Sequence, residues 1–323
     1  MKHLFIINPV AGGKKNSREK TEAEIRRVMA EIAQPYEIYE TKAPMDACRK
    51  IREEAETGEE LRVYACGGDG TLNECVNGAA GFSHVAVTHY PCGTGNDTIK
   101  MFGEDKELFF DLEKLVRGFV RPVDLIDCCG RYSLNIVSVG LDARVCQDVH
   151  KYSGLPLIGG ATAYVVSLLV NMLKGPNTRL EIRVGNQTYK GKFALLCACN
   201  GSYYGGGFHP VPEARPDDGV MDSLIVRGVS RLQFLGLVGR YSSGRYREIS
   251  EKTITATKAP EIRITAEEPV PVNLDGEVIL EKDIRFTMVP GAMQMIFPAG
   301  MTWFEKRETK TGENGQKDAI GQA

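Results

Sequence analysis

Three segments of the chain join glycines to a side chain that could do chemistry, and each follows an apolar run. Gly67-Gly68-Asp69-Gly70-Thr71 comes after Leu61-Arg62-Val63-Tyr64-Ala65-Cys66, whose β-branched and aromatic residues read as a buried strand. It comes before Leu72, Cys75, Val76 and Ala79, which recur at helical spacing. A helix N-terminus presents unpaired N–H groups and a positive dipole end, and glycines let the backbone approach phosphate oxygens without a Cβ in the way. Asp69 is the unexpected member of this turn. A carboxylate among such amides repels a phosphate unless a divalent cation or a hydrogen-bonding partner sits between, so the turn is expected to take a magnesium nucleotide. Asn8-Pro9-Val10-Ala11-Gly12 ends the run Leu4-Phe5-Ile6-Ile7, and Gly93-Thr94-Gly95-Asn96-Asp97 follows a third apolar run. In an open parallel sheet such strand-ending loops converge on one crevice. No segment reads GxxxxGK[ST] or a full GxGxxG, which weakens the P-loop and dinucleotide readings.

The elements that must position these turns alternate. Strand 3–8 leads to a helix over 17–33, where Thr21-Glu22-Ala23-Glu24 is expected to form a capping box and Ile25, Val28, Met29 and Ile32 make one face. Strand 37–41 precedes helix 44–56, strand 61–66 precedes helix 71–79, and strand 85–89 precedes the Gly93–Asp97 turn. This rhythm predicts a doubly wound α/β domain over residues 1–122. After Pro122 the chain turns to short β-rich runs, Tyr132–Val139, Leu180–Val184, Phe193–Cys199, Ser223–Val226 and Ile262–Thr265, with helices near 161–173 and 231–239. A β-sandwich domain over 123–290 is expected. Residues 305–323 are polar and aperiodic and read as a disordered tail.

Composition narrows the function classes. With 40 Lys and Arg against 42 Asp and Glu, the net charge of −2 offers no nucleic-acid-binding surface. Nine cysteines without CxxC pairs read as reduced thiols of a cytoplasmic protein, and a first strand at residue 3 or 4 leaves no room for a signal peptide. His89, His150 and His209 are too scattered for a metal cluster. The apolar stretch Leu155–Leu173, broken by Pro156, Gly159 and Gly160, falls short of the roughly 20 residues that cross a bilayer and reads as a packed helix. Gly154-Leu155-Pro156-Leu157 at its start is a candidate for entering lipid headgroups.

The GGDGTxNExxNG run of residues 67–78, the GTGND of 93–97 and the opening turn at 8–12 resemble the diacylglycerol kinase catalytic domain family of lipid kinases, which includes sphingosine and ceramide kinases. Asn200-Gly201-Ser202-Tyr203-Tyr204-Gly205-Gly206-Gly207, Pro212-Glu213-Ala214, Asp217–Asp222 and Leu274-Asp275-Gly276-Glu277 resemble later blocks, so the likeness covers roughly residues 2–300. Thr98-Ile99-Lys100 departs from it, where many relatives carry an aromatic and an alanine. The resemblance implies an NAD kinase/diacylglycerol kinase-like first domain, completed by about 291–304 as strands over about 286–297 return to it.

It also implies ATP and Mg²⁺. Gly67, Gly68, Gly70 and Thr71 would cradle phosphates with Asn8 and Gly12 nearby, Thr94 and Gly95 would close the other side, and Asn73 and Glu74 follow in the same signature. Thr41 matches a nucleotide-contacting threonine, Asp69 would hold magnesium, and Asp97 would support it. Asp275 would be the general base, with Glu277 beside it, although Asp-Gly between strand-like runs reads on spacing alone as a hairpin turn. The Asp218 carboxylate and the carbonyls of Arg215 and Val220 would bind a second, structural magnesium; by themselves these residues read as an acidic surface turn. The activity so implied is ATP-dependent phosphorylation of diacylglycerol to phosphatidic acid at the inner face of a membrane, by a protein that could pair as a homodimer. Another lipid acceptor, NAD, or a catalytically silent nucleotide-binding regulator are the alternatives.

Overall fold

The computed structural model describes residues 1–11, 17–153 and 160–305. Gly12, the Gly154–Leu157 loop and the tail beyond Glu305 lie outside them. β1 (Lys2–Ile7), β2 (Tyr36–Glu40), β3 (Leu61–Gly67) and β4 (Val85–Pro91) pair in parallel in the order β2-β1-β3-β4. Leu4, Phe5, Ile6, Val63, Tyr64, Val85 and Val87 are fully buried, as expected of strands covered on both faces. The cover comes from α1 (Ser17–Ile32) through Ile25, Val28 and Met29, α2 (Asp46–Ala55) through Ala47 and Ile51, and α3 (Asp69–Ala79) through Leu72, Cys75 and Val76. Because the strands are parallel, Asn8, Thr41, Gly67 and the Gly93 turn all emerge at one edge.

The chain continues through α4 (Asp97–Lys100), a 3₁₀ turn (Gly103–Phe110) and α5 (Leu112–Val116) into β5 (Phe119–Cys128), β6 (Arg131–Ser133) and β7 (Ile136–Gly140). Then come α6 (Leu141–Ser153), α7 (Gly160–Lys174), β8 (Thr178–Val184), β9 (Gln187–Cys199), β10 (Asp222–Arg227), α8 (Arg231–Ser242), β11 (Ile254–Lys258), β12 (Glu261–Leu274) and β13 (Glu277–Phe297). β7 to β12 pair antiparallel around a core of Val137, Ile182, Leu196, Ile262 and Phe286, while α8 covers a further apolar cluster that includes Leu224 and Val226. β13 joins the two regions. Its first half pairs with β12, its second half with β5, and Gln294 and Met295 lie parallel to Ala86 and Val87 of β4. A register shift between Val289 and Met293, with Gly291 at φ 60°, lets this 21-residue strand change direction.

Three local expectations need correction. α1 already runs at Ser17, so Thr21 lies a turn inside the helix, where its buried hydroxyl sits 3.9 Å from the Cys92 sulfur, and it caps nothing. The run Tyr132–Val139 is two strands, because the amides of Leu134, Asn135 and Ile136 leave the ladder to bind the Asp275 carboxylate. α6 was not foreseen: it follows β7 without a loop, and its buried Leu141, Ala143 and Val145 alternate as a strand would.

Candidate active site

The Gly67–Thr71 turn is held from below by one carbonyl. Gly67 O accepts the N–H groups of Cys92 (2.8 Å) and Gly93 (3.2 Å), and lies 3.0 Å from Nε2 of the fully buried His89. Burial lowers the His89 pKa against the pull of nearby Asp69, so the neutral ring donates from Nε2. Gly68 then enters α3 in extended conformation, and the amides of Asp69, Gly70 and Thr71 stand outside the helical ladder. Asn8 Nδ2 donates to Thr71 Oγ1 (3.1 Å), and Thr41 N donates to Ile7 O (3.0 Å), which brings the opening turn and the end of β2 to the same place.

A cleft of about 1020 Å³ lies over this edge. Asn8, Thr41, Gly68, Asp69, Gly70, Thr71, Glu74, Thr94, Gly95, Asp97, Asp275 and Glu277 line it. Gly67 and Asn73 do not. Glu74, though at the cleft, accepts Ala47 N (3.1 Å) and so satisfies the N-terminus of α2, where Met45 provides no side-chain cap.

Asp69 Oδ1 accepts the amides of Asp97 (2.8 Å) and Thr98 (3.4 Å) at the start of α4. Burial raises its pKa, His89 opposes, and Asp97 adds to the rise. Among the described residues no cation pairs with Asp69, and a Cβ on Gly95 would stand 2.9 Å from Oδ2. A lone hard-oxygen carboxylate beside a phosphate cradle fits magnesium, which keeps several waters and takes one or two carboxylates plus nucleotide phosphates. Asp97 is committed elsewhere: Lys100 Nζ donates to Oδ1 and Gly206 N to Oδ2, each at 2.6 Å. It ties the 205–207 glycine turn to the parallel domain, and Lys100, in the segment that departs from the family pattern, is its counter-ion.

The hairpin and base readings of Asp275 are compatible. Asp275 and Gly276, at φ 52° and 101°, form the two-residue turn between β12 and β13, both left-handed as a type I′ turn requires. The turn sends the carboxylate inward to accept Ser133 Oγ (2.7 Å), the amides of Leu134 (2.8 Å), Asn135 (3.1 Å) and Ile136 (2.8 Å), and Asn73 Nδ2 (3.3 Å). Burial raises its pKa and these hydrogen bonds pull it back only in part. Glu277 reaches across the cleft: a Cβ on Gly70 would be 3.6 Å from its Oε1.

Sequence reasoning missed the support of this turn. Asn273 Oδ1 accepts Gly276 N (2.8 Å), while its Nδ2 donates to Asp142 Oδ2 (3.1 Å). Asp142 also accepts Ser138 Oγ (2.6 Å) and Tyr164 OH (2.9 Å), and burial raises its pKa. An Asn three residues before a turn glycine was the available signal. Behind this network lies a narrow apolar chamber of about 50 Å³, walled by α7, α8 and β9, and Tyr204 lines both chamber and cleft.

The expected second metal site is apart from the cleft. Asp218 Oδ1 accepts Val220 N (3.0 Å), and burial raises the Asp218 pKa, reinforced by Asp222, Asp217 and Asp124. Arg215 pairs with Asp217 and lays its guanidinium 3.7 Å from the centre of the Trp303 ring. Among the described residues no three His, Cys, Asp or Glu side chains group as a metal cluster. The donor set of one carboxylate and main-chain carbonyls is hard oxygen throughout and fits Mg²⁺ with waters.

Residues 2–128 match the diacylglycerol kinase catalytic domain, and residues 135–297 match the YegS C-terminal NAD kinase beta sandwich-like domain. A Pseudomonas aeruginosa protein named "Probable lipid kinase YegS-like" is 30% identical over 253 residues, 78% of this chain and 82% of that protein. A solved structure from Bacillus anthracis aligns with TM-score 0.72 at 27% identity, over 93% of this chain and 98% of the other. Another from the same organism, of a diacylglycerol kinase, aligns with TM-score 0.66 and the same coverage at 23% identity, a likeness of fold.

Proposed function

Because the chain belongs to the diacylglycerol kinase-like family of lipid kinases, we propose that it transfers the γ-phosphate of ATP to the hydroxyl of diacylglycerol and releases phosphatidic acid. The observation that carries this reading is the Asp275 carboxylate, set in the cleft opposite the N-terminus of α3, with an apolar chamber on the other side of Tyr204.

The amides of Gly68 to Thr71 hold and orient the phosphates, and the positive end of α3 offsets their charge. Asp275 takes the proton of the acceptor hydroxyl as its oxygen bonds to the γ-phosphorus and the bond to the β-phosphate oxygen breaks, leaving ADP. Asn73, Ser133 and the amides of 134–136 keep the carboxylate in place. Magnesium, held at Asp69, supplies charge neutralisation when bound. Asp97 steadies the 205–207 turn beside it, and the Asp218 loop serves a structural ion. The chamber takes apolar chain of the acceptor. The protein works from the cytoplasm at the inner face of the membrane; no helix among the described residues is long and apolar enough to cross one.

The test is transfer of radiolabelled γ-phosphate by the purified protein with Mg²⁺ to a panel of mixed-micelle lipids and NAD, beside Asp275→Asn. Label in phosphatidic acid that vanishes in the variant supports acceptor and base together. Label in a different lipid replaces the acceptor, label in NADP removes the lipid reading, and ATP binding without transfer favours a silent regulator.

A further inference from the structure

We infer that the outer face of α7 and α8 is the surface by which the protein lies on an anionic bilayer; this rests on the lipid-acceptor reading above. On α7, Val165, Leu169 and Leu173 recur every fourth residue and are 51%, 47% and 65% exposed. On α8, Leu232 and Leu235 are 82% and 52% exposed. Isolated apolar residues on a surface are ordinary, but five on two neighbouring helices form a patch.

The end of α7 is tied to the start of α8. Arg231 at the start of α8 donates to the carbonyls of Met172 (3.2 Å) and Leu173 (2.6 Å), and Asn177 and Val229 exchange two hydrogen bonds of 2.9 and 3.0 Å. The inner faces of α7 and α8, through Tyr164, Leu168, Phe234 and Leu237, wall the apolar chamber that Tyr204 separates from the cleft. The patch is thus the far side of the chamber wall, where a lipid leaving a bilayer would enter.

Charge selects the occupant. Neither helix contains an acidic residue; Lys174 shares Asp148 with Lys151, and Arg240 shares Glu248 with Arg245, so with Arg231 the basic groups here outnumber these acidic partners, in a chain whose net charge is −2. A rim of cations around apolar side chains complements anionic headgroups over acyl chains. At 15 and 12 residues, both helices are too short to span and suit lying in the interface.

The test is flotation with vesicles of phosphatidylcholine, with and without phosphatidylglycerol. The wild type floats, more strongly with phosphatidylglycerol, and Leu169→Glu/Leu232→Glu lowers partition at least about tenfold while keeping its kcat on a short-chain, water-soluble diacylglycerol. Leu232→Trp is the second variant: its added emission shifts to the blue on vesicles. Flotation of the double variant like the wild type overturns the inference, as does an unshifted Leu232→Trp. Loss of a dimer in sedimentation velocity with unchanged flotation also overturns it, assigning the face to a second copy. Failure to phosphorylate any lipid, with flotation still dependent on Leu169 and Leu232, removes the acceptor reading and leaves the surface standing.

Discussion

Adding one methyl group at Gly93 tests whether the site depends on two backbones touching. A Cβ there would lie 2.5 Å from the Gly68 Cα, 3.0 Å from Asn96 Oδ1 and 3.2 Å from Gly68 N. Carbon atoms rest at about 3.5–4.0 Å, so Gly93→Ala must part the two glycine turns by roughly 1 Å. Gly68, which makes the closest contact, cannot swing aside, because its crowding atoms are main chain. The parting also strains the bonds from Cys92 N and Gly93 N to Gly67 O. Overpacking of this kind costs about 1–3 kcal/mol, and at roughly 2–4 °C per kcal/mol for a chain approaching this size the melting temperature falls by several degrees. A phosphate cradle misplaced by about 1 Å costs on the order of a hundredfold in kcat/KM. Gly68→Ala is the control for stability: its Cβ would meet the Gly93 Cα at 3.5 Å, an ordinary contact, and its φ of −97° suits alanine. Melting curves of both variants and ADP release against ATP concentration for Gly93→Ala are the measurements. Gly93→Ala that melts and turns over like the wild type, or Gly68→Ala that proves the less stable of the two, refutes the reasoning.

Asp275→Asn should lower kcat by about 10²–10⁴-fold, the usual worth of a general base, while equilibrium titration shows ATP affinity unchanged; parallel loss of both contradicts the base role. Because burial raises the Asp275 pKa, the base is silenced by protons at a higher pH than an ordinary aspartate. The acid limb of kcat/KM is expected above the usual carboxylate range, and a limb within that range speaks against the buried geometry. Asp97→Ala frees Gly206 N and Lys100, so amide exchange in the 205–207 turn should speed and stability fall by roughly 1–3 kcal/mol for the unpaired donor; unchanged exchange disproves the tie. Asp148 is held down to about 2 because hydrogen bonds from Lys151, Asn171 and Lys174 outweigh the upward effect of burial. Its contribution, at most about 2 kcal/mol, is present above the unfolded pKa and lost as pH falls through about 2. Urea unfolding of Asp148→Asn should therefore show a flatter decline below pH 4 than the wild type.

The sequence by itself determined what repeats along the chain or is confined to a few neighbouring residues. Continuous apolar runs make β1, β3 and β4 legible because both faces of those strands are buried, and the glycine turns are legible because the strand end and helix start that shape them adjoin them in sequence. Leu274-Asp275-Gly276-Glu277 was readable as a hairpin from Asp-Gly and as a base from the family likeness. Only the tertiary structure showed that the turn directs its carboxylate to Ser133–Ile136, some 140 residues earlier, a contact that itself breaks the expected single strand 132–139 in two. The Asp97–Gly206 tie, the Asp142–Asn273 support, the neutral His89 under the Gly67–Thr71 turn and the shared wall of α7 and α8 were hidden for the same reason. Each joins groups whose separation along the chain follows no period, and a hydrogen bond or a packed face between such groups exists only once folding has removed water and brought them within about 3 Å.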